Sequence, residues 1–551
     1  LYMRRIPKIL YKSRQWLALC CVLVLAYVLR VLIITHGLPY PYHCDEPNLI
    51  HNALRILKTG DYNPHWFGYP TLLTYIHTLD SVFCYFYAVK HHLLRDMTEV
   101  LTNADTGWWW SISHPIFYFW GRHVTVVFGT LSVGLVYLIC RRYSCSLFTA
   151  ILASVFLACN IPYLHLSRVI TVDVPTSFFV LATAFSSILL MVKGERKYYL
   201  IAGLLAGFAI SAKYNAYPAA LLPLLAHILN KEKKAFFSPD VLLIIAAVPL
   251  GFLIGTPYAI GDLPGFLKGA GDNVWYYSNF GENSMMLQQL VFFYHGFCED
   301  RWAMGGGGGV GTFLVYAAVC GMFTGFLVNR RLQILLLSYP VAYVLFMSTM
   351  RANFMRNMIV VNAYLCIFAA LFIYQASTFI YKSLKKKIAV SEGVFFTAVL
   401  AIFLIMPLYK GINWTIKEFN QTDSRVLAVQ WLEKNVAPPH KVALARELRW
   451  FMPHLDKLGF EHVLVGQLEK DPAWYGKEGF EYVVVAKKYI NQEDPGMPLL
   501  QKYNESFSNM PVAAAFGTQP MDLNIFTVDP KLAIVKVAAS PEKAGNSKAP
   551  R

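Results

Sequence analysis

Apolar residues fall along this chain in runs of about 20, the length of helix that crosses a hydrocarbon core. Short polar segments rich in Lys and Arg separate the runs. These segments are Arg4/Arg5/Lys8/Lys12/Arg14, Arg141/Arg142, Lys193/Arg196/Lys197, Lys231/Lys233/Lys234, Arg330/Arg331 and Lys382/Lys385/Lys386/Lys387. Basic residues gather on the cytoplasmic side of membrane spans. Placing every cluster there predicts eleven helices, near 16–36, 115–140, 147–164, 174–192, 198–212, 215–230, 240–258, 310–328, 332–349, 357–380 and 390–409. The N-terminus is then cytoplasmic and the C-terminus extracytoplasmic, as expected of a multi-pass protein of the cell's inner (plasma) membrane. The short fifth and sixth segments flank "SAKYNAYP", where a re-entrant hairpin stays open as an alternative.

Three stretches remain outside: a first loop over 37–114, a second over 259–309, and everything from Gly411 onward. In the tail, "DSRVLAVQWLEKNV" has helical periodicity, with Val426, Leu427, Val429, Trp431 and Leu432 on or near one face. "KVALA", "EHVLVG" and "FEYVVVAKK" read as short buried strands. The expected organisation is a membrane domain over 1–410, a small extracytoplasmic α/β domain over 411–540 and a disordered tail over 541–551. No internal repeat of the kind built into many transporters is visible. The first apolar run, Trp16 to Thr35, is long for a secretory signal and reads as a retained anchor.

Composition agrees with a membrane protein. Of 551 residues, 56% are hydrophobic, against roughly 45–50% in soluble domains. The net charge of +16 is spread over the flanks of apolar runs, which argues against a nucleic-acid partner. Most cysteines, including Cys20, Cys21, Cys140, Cys159, Cys320 and Cys366, lie inside apolar runs as small hydrophobes. Cys44 and Cys298 fall in the outer loops, where a disulfide between them and two free thiols both stay open.

The chemistry concentrates at the outer edge. "PYHCDEPNLI" sets Asp45 and Glu46 side by side just after the first span. Pro47 suits the first position of a helix with Glu46 as its cap. Leu49, Ile50, Ala53, Leu54 and Leu57 follow on one face, His51, Asn52, Arg55 and Lys58 on the other, and Gly60 ends the run. That pattern predicts an amphipathic helix lying on the membrane surface. Trp108, Trp109 and Trp110, at the far end of the loop, fit an interfacial aromatic belt. "SRVITVDVP" places Arg168 and Asp173 where the third and fourth spans meet. Lys213 sits at the outer end of the fifth span, and Arg351 and Arg356 lie between the ninth and tenth. Charges at membrane depth are costly and face a cavity or a partner.

These segments together resemble a known family. "CDEPNLIHNALRILKTGDYNPHWFGYPTLLTYI" resembles the first outer loop of bacterial membrane glycosyltransferases similar to the protein O-mannosyltransferases and the lipid A aminoarabinose transferase. "SRVITVDVPTSFF", "SAKYNAYPAALLPL", "RNMIVVNAYLCIFAAL" and "DSRVLAVQWLEKNVAPPHKVAL" are similar to later segments of the same group. The resemblance implies the C-type glycosyltransferase fold and a polyprenyl-phosphate sugar as donor. It implies Asp45 as catalytic base, Asp173 as the Asp of the second signature and a further catalytic candidate, and basic residues, here Arg168, Lys213, Arg351 and Arg356, on the lipid phosphate. Glu46 is expected to position the acceptor, and His65 and Tyr69 in the same loop are candidate substrate contacts.

The chemistry is coherent. A carboxylate can take the proton of an acceptor hydroxyl as it attacks, while fixed cations stabilise the charge growing on the departing phosphate. Each residue also has a structural reading: Asp45 and Glu46 as a capping pair, Asp173 as ion-pair partner of Arg168, and Lys213, Arg351 and Arg356 as snorkelling interface residues. His43, His51, His65, His77, His114 and His295, with Glu299 nearby, crowd the outer loops without tight ligand spacing, so no cofactor is expected and a catalytic divalent metal stays open only as the less favoured alternative. "GGGGG" at 305–309 reads as a flexible loop, and Asn413, Asn420 and Asn504 match the N-glycosylation pattern. The competing function is a transporter or lipid flippase with a soluble cap. Neither the sugar nor the acceptor (protein, lipid or glycan) follows from the residues.

Overall fold

The structure, a computed structural model, describes residues 6–39, 43, 45–102, 105, 114–144, 146–230, 238–279, 286–298, 310–352, 354–385, 390–436, 441–444, 463–465, 472–486, 511–516 and 532–536. It divides into two compact units. The first comprises Leu1–Ile34, Asn48–Asp105 and Ile116–Phe419, the second Thr35–Pro47, Thr106–Pro115 and Asn420–Arg551. Cys44, the side chains of His295 and Cys298, Trp108 to Trp110, Glu299, the 305–309 glycines, Asn504 and the 541–551 tail lie outside the described residues.

The first unit is helical: α1 (Ile6–Val31), α2 (Asp45–Thr59, whose first three residues the division leaves with the second unit), α3 (Leu72–Lys90), α4 (Pro115–Tyr143), α5 (Leu147–Ala158), α6 (Ile161–Ser167), α7 (Asp173–Lys193), α8 (Arg196–Ala212), α9 (Leu221–Ile228), α10 (Pro239–Gly255), α11 (Tyr258–Gly261), α12 (Leu263–Asn279), α13 (Met286–Cys298), α14 (Val310–Ser348), α15 (Ile359–Leu384) and α16 (Glu392–Asn420). Among the described residues, six helical runs are long and apolar enough to cross a membrane, and the bent pair α5/α6, broken by 59°, makes a seventh. Helix occurs at each of the eleven expected positions, but eleven spans are not established, because α8 and α10 have only 17 residues each. The large side chains Phe323, Leu327, Phe379, Ile402 and Ile405 face outward, as lipid contact requires and water would not favour.

Three local features explain the packing. First, α14 is a hairpin. Asn329 leaves the helical region (φ −153°, ψ 90°), and Gln333 Nε2 bonds the carbonyls of Gly321, at 3.4 Å, and Met322, at 2.7 Å. On a straight helix residues 321 and 333 are about 18 Å apart, so the chain doubles back at Asn329 between the two expected spans. Second, α8 and α10 touch backbone to backbone: a Cβ on Gly207 would lie 2.3 Å from the Val248 carbonyl, and one on Gly251 2.4 Å from that of Leu204. Small residues permit that approach where no hydrophobic force between helices is available. Third, α16 runs unbroken through Gly411, where the sequence reading begins the soluble domain. Gly411 packs against Cys159 with no room for a side chain, so it is a contact glycine in a helix, and the compact units part after Phe419.

The loops expected at 37–114 and 259–309 contain helices that the sequence reading did not include. α3 buries Thr74, His77, Thr78, Ser81 and Cys84 and exposes Leu79, Phe83 and Phe86, the reverse of a water-soluble amphipathic helix.

The second unit carries a five-stranded sheet in the order β2-β1-β3-β5-β4. β1 (Lys441–Leu444) pairs parallel with β2 (Val463–Val465) and β3 (Phe480–Ala486). β5 (Leu532–Lys536) runs antiparallel between β3 and β4 (Val512–Phe516). The first three strands and helix α17 (Ser424–Asn435) match the pattern read from the sequence. Asp423 caps α17 through the Arg425 amide. Burial alone would raise its carboxyl, but Arg425 and His36 hold it far below the ordinary carboxylate range.

Candidate active site

The two carboxylates of the first loop open α2. The helix begins at Asp45, two residues before the expected start, so Glu46 lies inside the first turn and is not the cap. Pro47 remains compatible, because first-turn amides have no helical partner for a proline to remove. Glu46 is fully buried and Asp45 is 3% exposed. The Asp45 amide donates to His43 Nδ1 at 3.2 Å, and the same nitrogen lies 3.9 Å from Asp45 Oδ2. Beyond this opening, α2 does not lie on a surface. Leu49, Ile50, Ala53 and Leu54 are buried, but so are His51 and Asn52 on the face expected to be polar. Ile50 packs where Gly121 of α4 leaves space for it, so the helix is enclosed within the first unit from Leu49 to Leu54.

A second group assembles inside the first unit. Lys213, at the end of α8, donates from Nζ to Asp173 Oδ1 and to Asn357 Oδ1, each at 2.5 Å. All three residues are at most 5% exposed. Asp173 opens α7, and Asn357 sits on the 3₁₀ turn Met355–Met358 that leads into α15. Tyr343 of α14 donates to the Asn357 carbonyl at 2.9 Å, and the Tyr277 hydroxyl of α12 stands 3.4 Å from its side-chain oxygen. Five elements thus meet around the Lys213–Asn357 contact, α12 and α14 through Asn357. An ammonium has three donors, and two are used here. Asp173 Oδ2 is buried and without a hydrogen-bond partner among the described residues.

Asp173 therefore pairs with Lys213, not with Arg168. Arg168 donates from Nη1 to Glu418 of α16 at 2.5 Å and lies 5.4 Å over the Trp414 ring. A spacing of five residues across the break between α6 and α7 does not bring Arg168 and Asp173 together. Arg356 precedes Asn357 on the 3₁₀ turn, half-buried, with its guanidinium 5.0 Å above the Phe354 ring. Arg351 is exposed, and its amide bonds the Tyr277 carbonyl at 2.9 Å.

His65 is exposed, in a left-handed conformation (φ 52°), with Nε2 2.7 Å from Asp61. That bond and the turn around Asn63 hold Asp61 below its ordinary range. Tyr69 packs edge-on against Trp66. The segment between them is anchored by the Tyr214 hydroxyl, next to Lys213, on the Phe67 carbonyl at 3.0 Å, and by Asn273 on the Gly68 carbonyl at 2.9 Å. Among the described residues no group of three or more His, Cys, Asp or Glu has metal-binding geometry. Sequence reasoning missed Asn357, Tyr343 and Glu418. Asn357 stood in the quoted "RNMIVV", but a lone amide has no periodicity to mark it.

Residues 91–262 match the family described as dolichyl-phosphate-mannose-protein mannosyltransferase. This range holds Arg168, Asp173 and Lys213 but not the Asp45/Glu46 pair. The chain resembles the polyprenyl-phosphate-dependent membrane glycosyltransferases. Among solved structures, ArnT from Cupriavidus metallidurans bound to undecaprenyl phosphate is 11% identical, with a TM-score of 0.50 over 95% of this chain and 98% of that one. The oligosaccharyltransferase AglB from Archaeoglobus fulgidus is 13% identical, with a TM-score of 0.49 over 86% of this chain and 70% of that one. Sequence comparison with curated proteins finds no match. The likeness along nearly the whole of ArnT supports the C-type glycosyltransferase fold, a polytopic helical membrane domain with a small C-terminal α/β unit, and the family match supports an enzyme of that class.

Proposed function

We propose that this protein transfers a sugar from a polyprenyl-phosphate donor to an acceptor at the extracytoplasmic face of the inner (plasma) membrane, inverting the anomeric centre. The acceptor hydroxyl attacks the anomeric carbon, its proton passes to Asp45, and the bond to the phosphate oxygen breaks. Glu46 orients the acceptor. Lys213 and Arg356 supply charge-assisted hydrogen bonds to the departing phosphate. Arg351 is a further candidate for the phosphate, and His65 and Tyr69 for the sugar or acceptor. Asp173 fixes Lys213, and Arg168, held by Glu418, positions the segment leading to Asp173. The reaction as written uses no metal.

The observation that carries this reading is the burial of two adjacent carboxylates inside the first turn of α2, with neither serving as its cap. Such groups are costly to bury and are more readily explained by proton transfer than by helix initiation. Asp45→Asn keeps the size and polarity and removes the basicity. Turnover with a radiolabelled polyprenyl-phosphate sugar should fall about 10²–10⁴-fold, while donor binding and thermal unfolding stay near wild type. Glu46→Gln should be milder. Normal turnover in both variants would remove the base from α2, and a dead Glu46→Gln beside an active Asp45→Asn would exchange the two roles.

A further inference from the structure

The end of the bundle remote from Asp173 has a site of its own. A cavity of about 480 Å³ is lined there by Gln15 of α1, Arg141 and Arg142 of α4, Met191 of α7, and Asn329 and Arg331 at the turn of the α14 hairpin, over an apolar floor that includes Ile188 and Leu332. The α7 residues of the lining, Ile188, Met191 and Val192, lie 15 to 19 positions beyond Asp173, roughly 22–28 Å away at helical rise. The cavity is therefore separate from the Lys213 group. Its walls are braced: the Tyr143 hydroxyl stands 3.0 Å from the Gly325 carbonyl and 2.5 Å from Gln333 Oε1, tying the end of α4 to both arms of the hairpin. Asn329 caps the second arm through the Leu332 amide at 3.1 Å. Among the described residues three arginines line the cavity and no acid does. Among the described residues, Arg142 and Arg331 form no ion pair, and both are exposed.

We propose that this cavity binds a phosphoryl group, carried by an anionic lipid headgroup or by a soluble phosphate compound. Guanidinium forks match phosphate oxygens two at a time, and Arg142 and Arg331 line the cavity where helices leave the hydrocarbon. The apolar side formed by Ile188, Met191, Val192 and Leu332 suits the glycerol and upper acyl carbons of a lipid, which a free phosphate does not need.

The test uses full-length protein in detergent, with binding read by native mass spectrometry and by the shift in thermal unfolding. Phosphatidylglycerol, phosphatidylcholine and inorganic phosphate are the three probes. Phosphatidylglycerol should bind more tightly than phosphatidylcholine. The double variant Arg142→Gln/Arg331→Gln should weaken phosphatidylglycerol about 25-fold, fivefold for each charge removed, and higher salt should weaken it further. Met191→Trp, which fills the cavity and keeps the arginines, should also block it. Binding of inorganic phosphate that is lost in the double variant, with no preference for phosphatidylglycerol, assigns the site to a soluble phosphate compound and overturns the lipid arm. Equal affinity for all three probes, or unchanged phosphatidylglycerol binding in both variants, overturns the site.

Discussion

The two ends of the helical unit treat positive charge in opposite ways. At the end that holds Asp173, two buried cations have acids, Lys213 with Asp173 and Arg168 with Glu418, while the buried Arg30 donates to Ser167 and to the Ala26 and Ala158 carbonyls. At the other end Arg142 and Arg331, which form no ion pair among the described residues, line a cavity whose described lining holds no carboxylate. Burial explains the difference. Lys213 is 5% exposed and Arg168 2%, and an isolated charge at such depth costs several kcal/mol unless a counter-ion is fixed beside it. Arg142 and Arg331 keep water on one side and need no partner for stability. A cation with a built-in partner is part of the frame, whereas one without is available to a ligand. Lys213 is the intermediate case, with two of its three donors engaged.

The largest effect expected from this contrast is at Lys213. Lys213→Met removes the charge and leaves Asp173 buried beside Asn357, which should destabilise the unit by about 3–5 kcal/mol. Adding Asp173→Asn should recover most of that loss, because neither charge then remains. Thermal unfolding in detergent measures both. Sugar transfer should stay low in the recovered double variant if the third Lys213 donor serves the donor phosphate. A single variant as stable as wild type would show that the pair carries no structural load and would erase the contrast between the ends.

A smaller effect separates buried pairs from exposed ones. Lys58 of α2 meets Asp105 at 2.9 Å with both side chains partly in water. Bonds from the Thr102 amide, then Lys58 and the Thr102 hydroxyl, lower the Asp105 carboxyl to about 2. A carboxyl depressed in the folded state stabilises above its unfolded value, about 3.9, and that contribution is lost as pH falls toward the folded value. Solvent screening keeps it below about 1 kcal/mol. Asp105→Asn should therefore be slightly less stable than wild type at pH 6, and the difference should close between about pH 4 and pH 2. A difference that grows on acidification would reverse the sign of this pair.

What the sequence revealed and what it hid follow from the same physics. Period and charge repeat along the chain, so the apolar runs, the hairpin about Arg330/Arg331 and the first three strands were legible, because each is set by its own residues. The Asp45/Glu46 pair stood out through its position after a span. Partners across the fold were hidden. The reading of Arg168 with Asp173 used nearness in sequence, whereas burial sends Arg168 to Glu418, 250 residues away, and Asp173 to Lys213. The helix α3 was passed over because its small and polar residues face inward and its aromatic residues outward, a pattern that amphipathicity in water does not prepare one to see. The surface position expected of α2 failed for a related reason: His51 and Asn52 look like a solvent face and are buried.

The smallest effect expected tests the other side of the comparison. If the arginines of the second end are not structural, Arg142→Gln/Arg331→Gln should change unfolding stability by no more than about 0.5 kcal/mol per site in lipid-free detergent, as for exposed substitutions without a specific partner. Neutralisation also relieves repulsion between cations at one mouth, since like charges within a Debye length oppose one another. The measurement must be made without anionic lipid, because a ligand that binds only the folded protein adds its own stability by mass action. Repeating it with phosphatidylglycerol should then open a gap in which wild type gains and the variant does not. A loss near that of Lys213→Met in lipid-free detergent would mean that these arginines hold the hairpin turn in place. The two ends would then differ in the kind of partner they use, backbone carbonyls at one and carboxylates at the other, and no longer in whether their cations are free to bind.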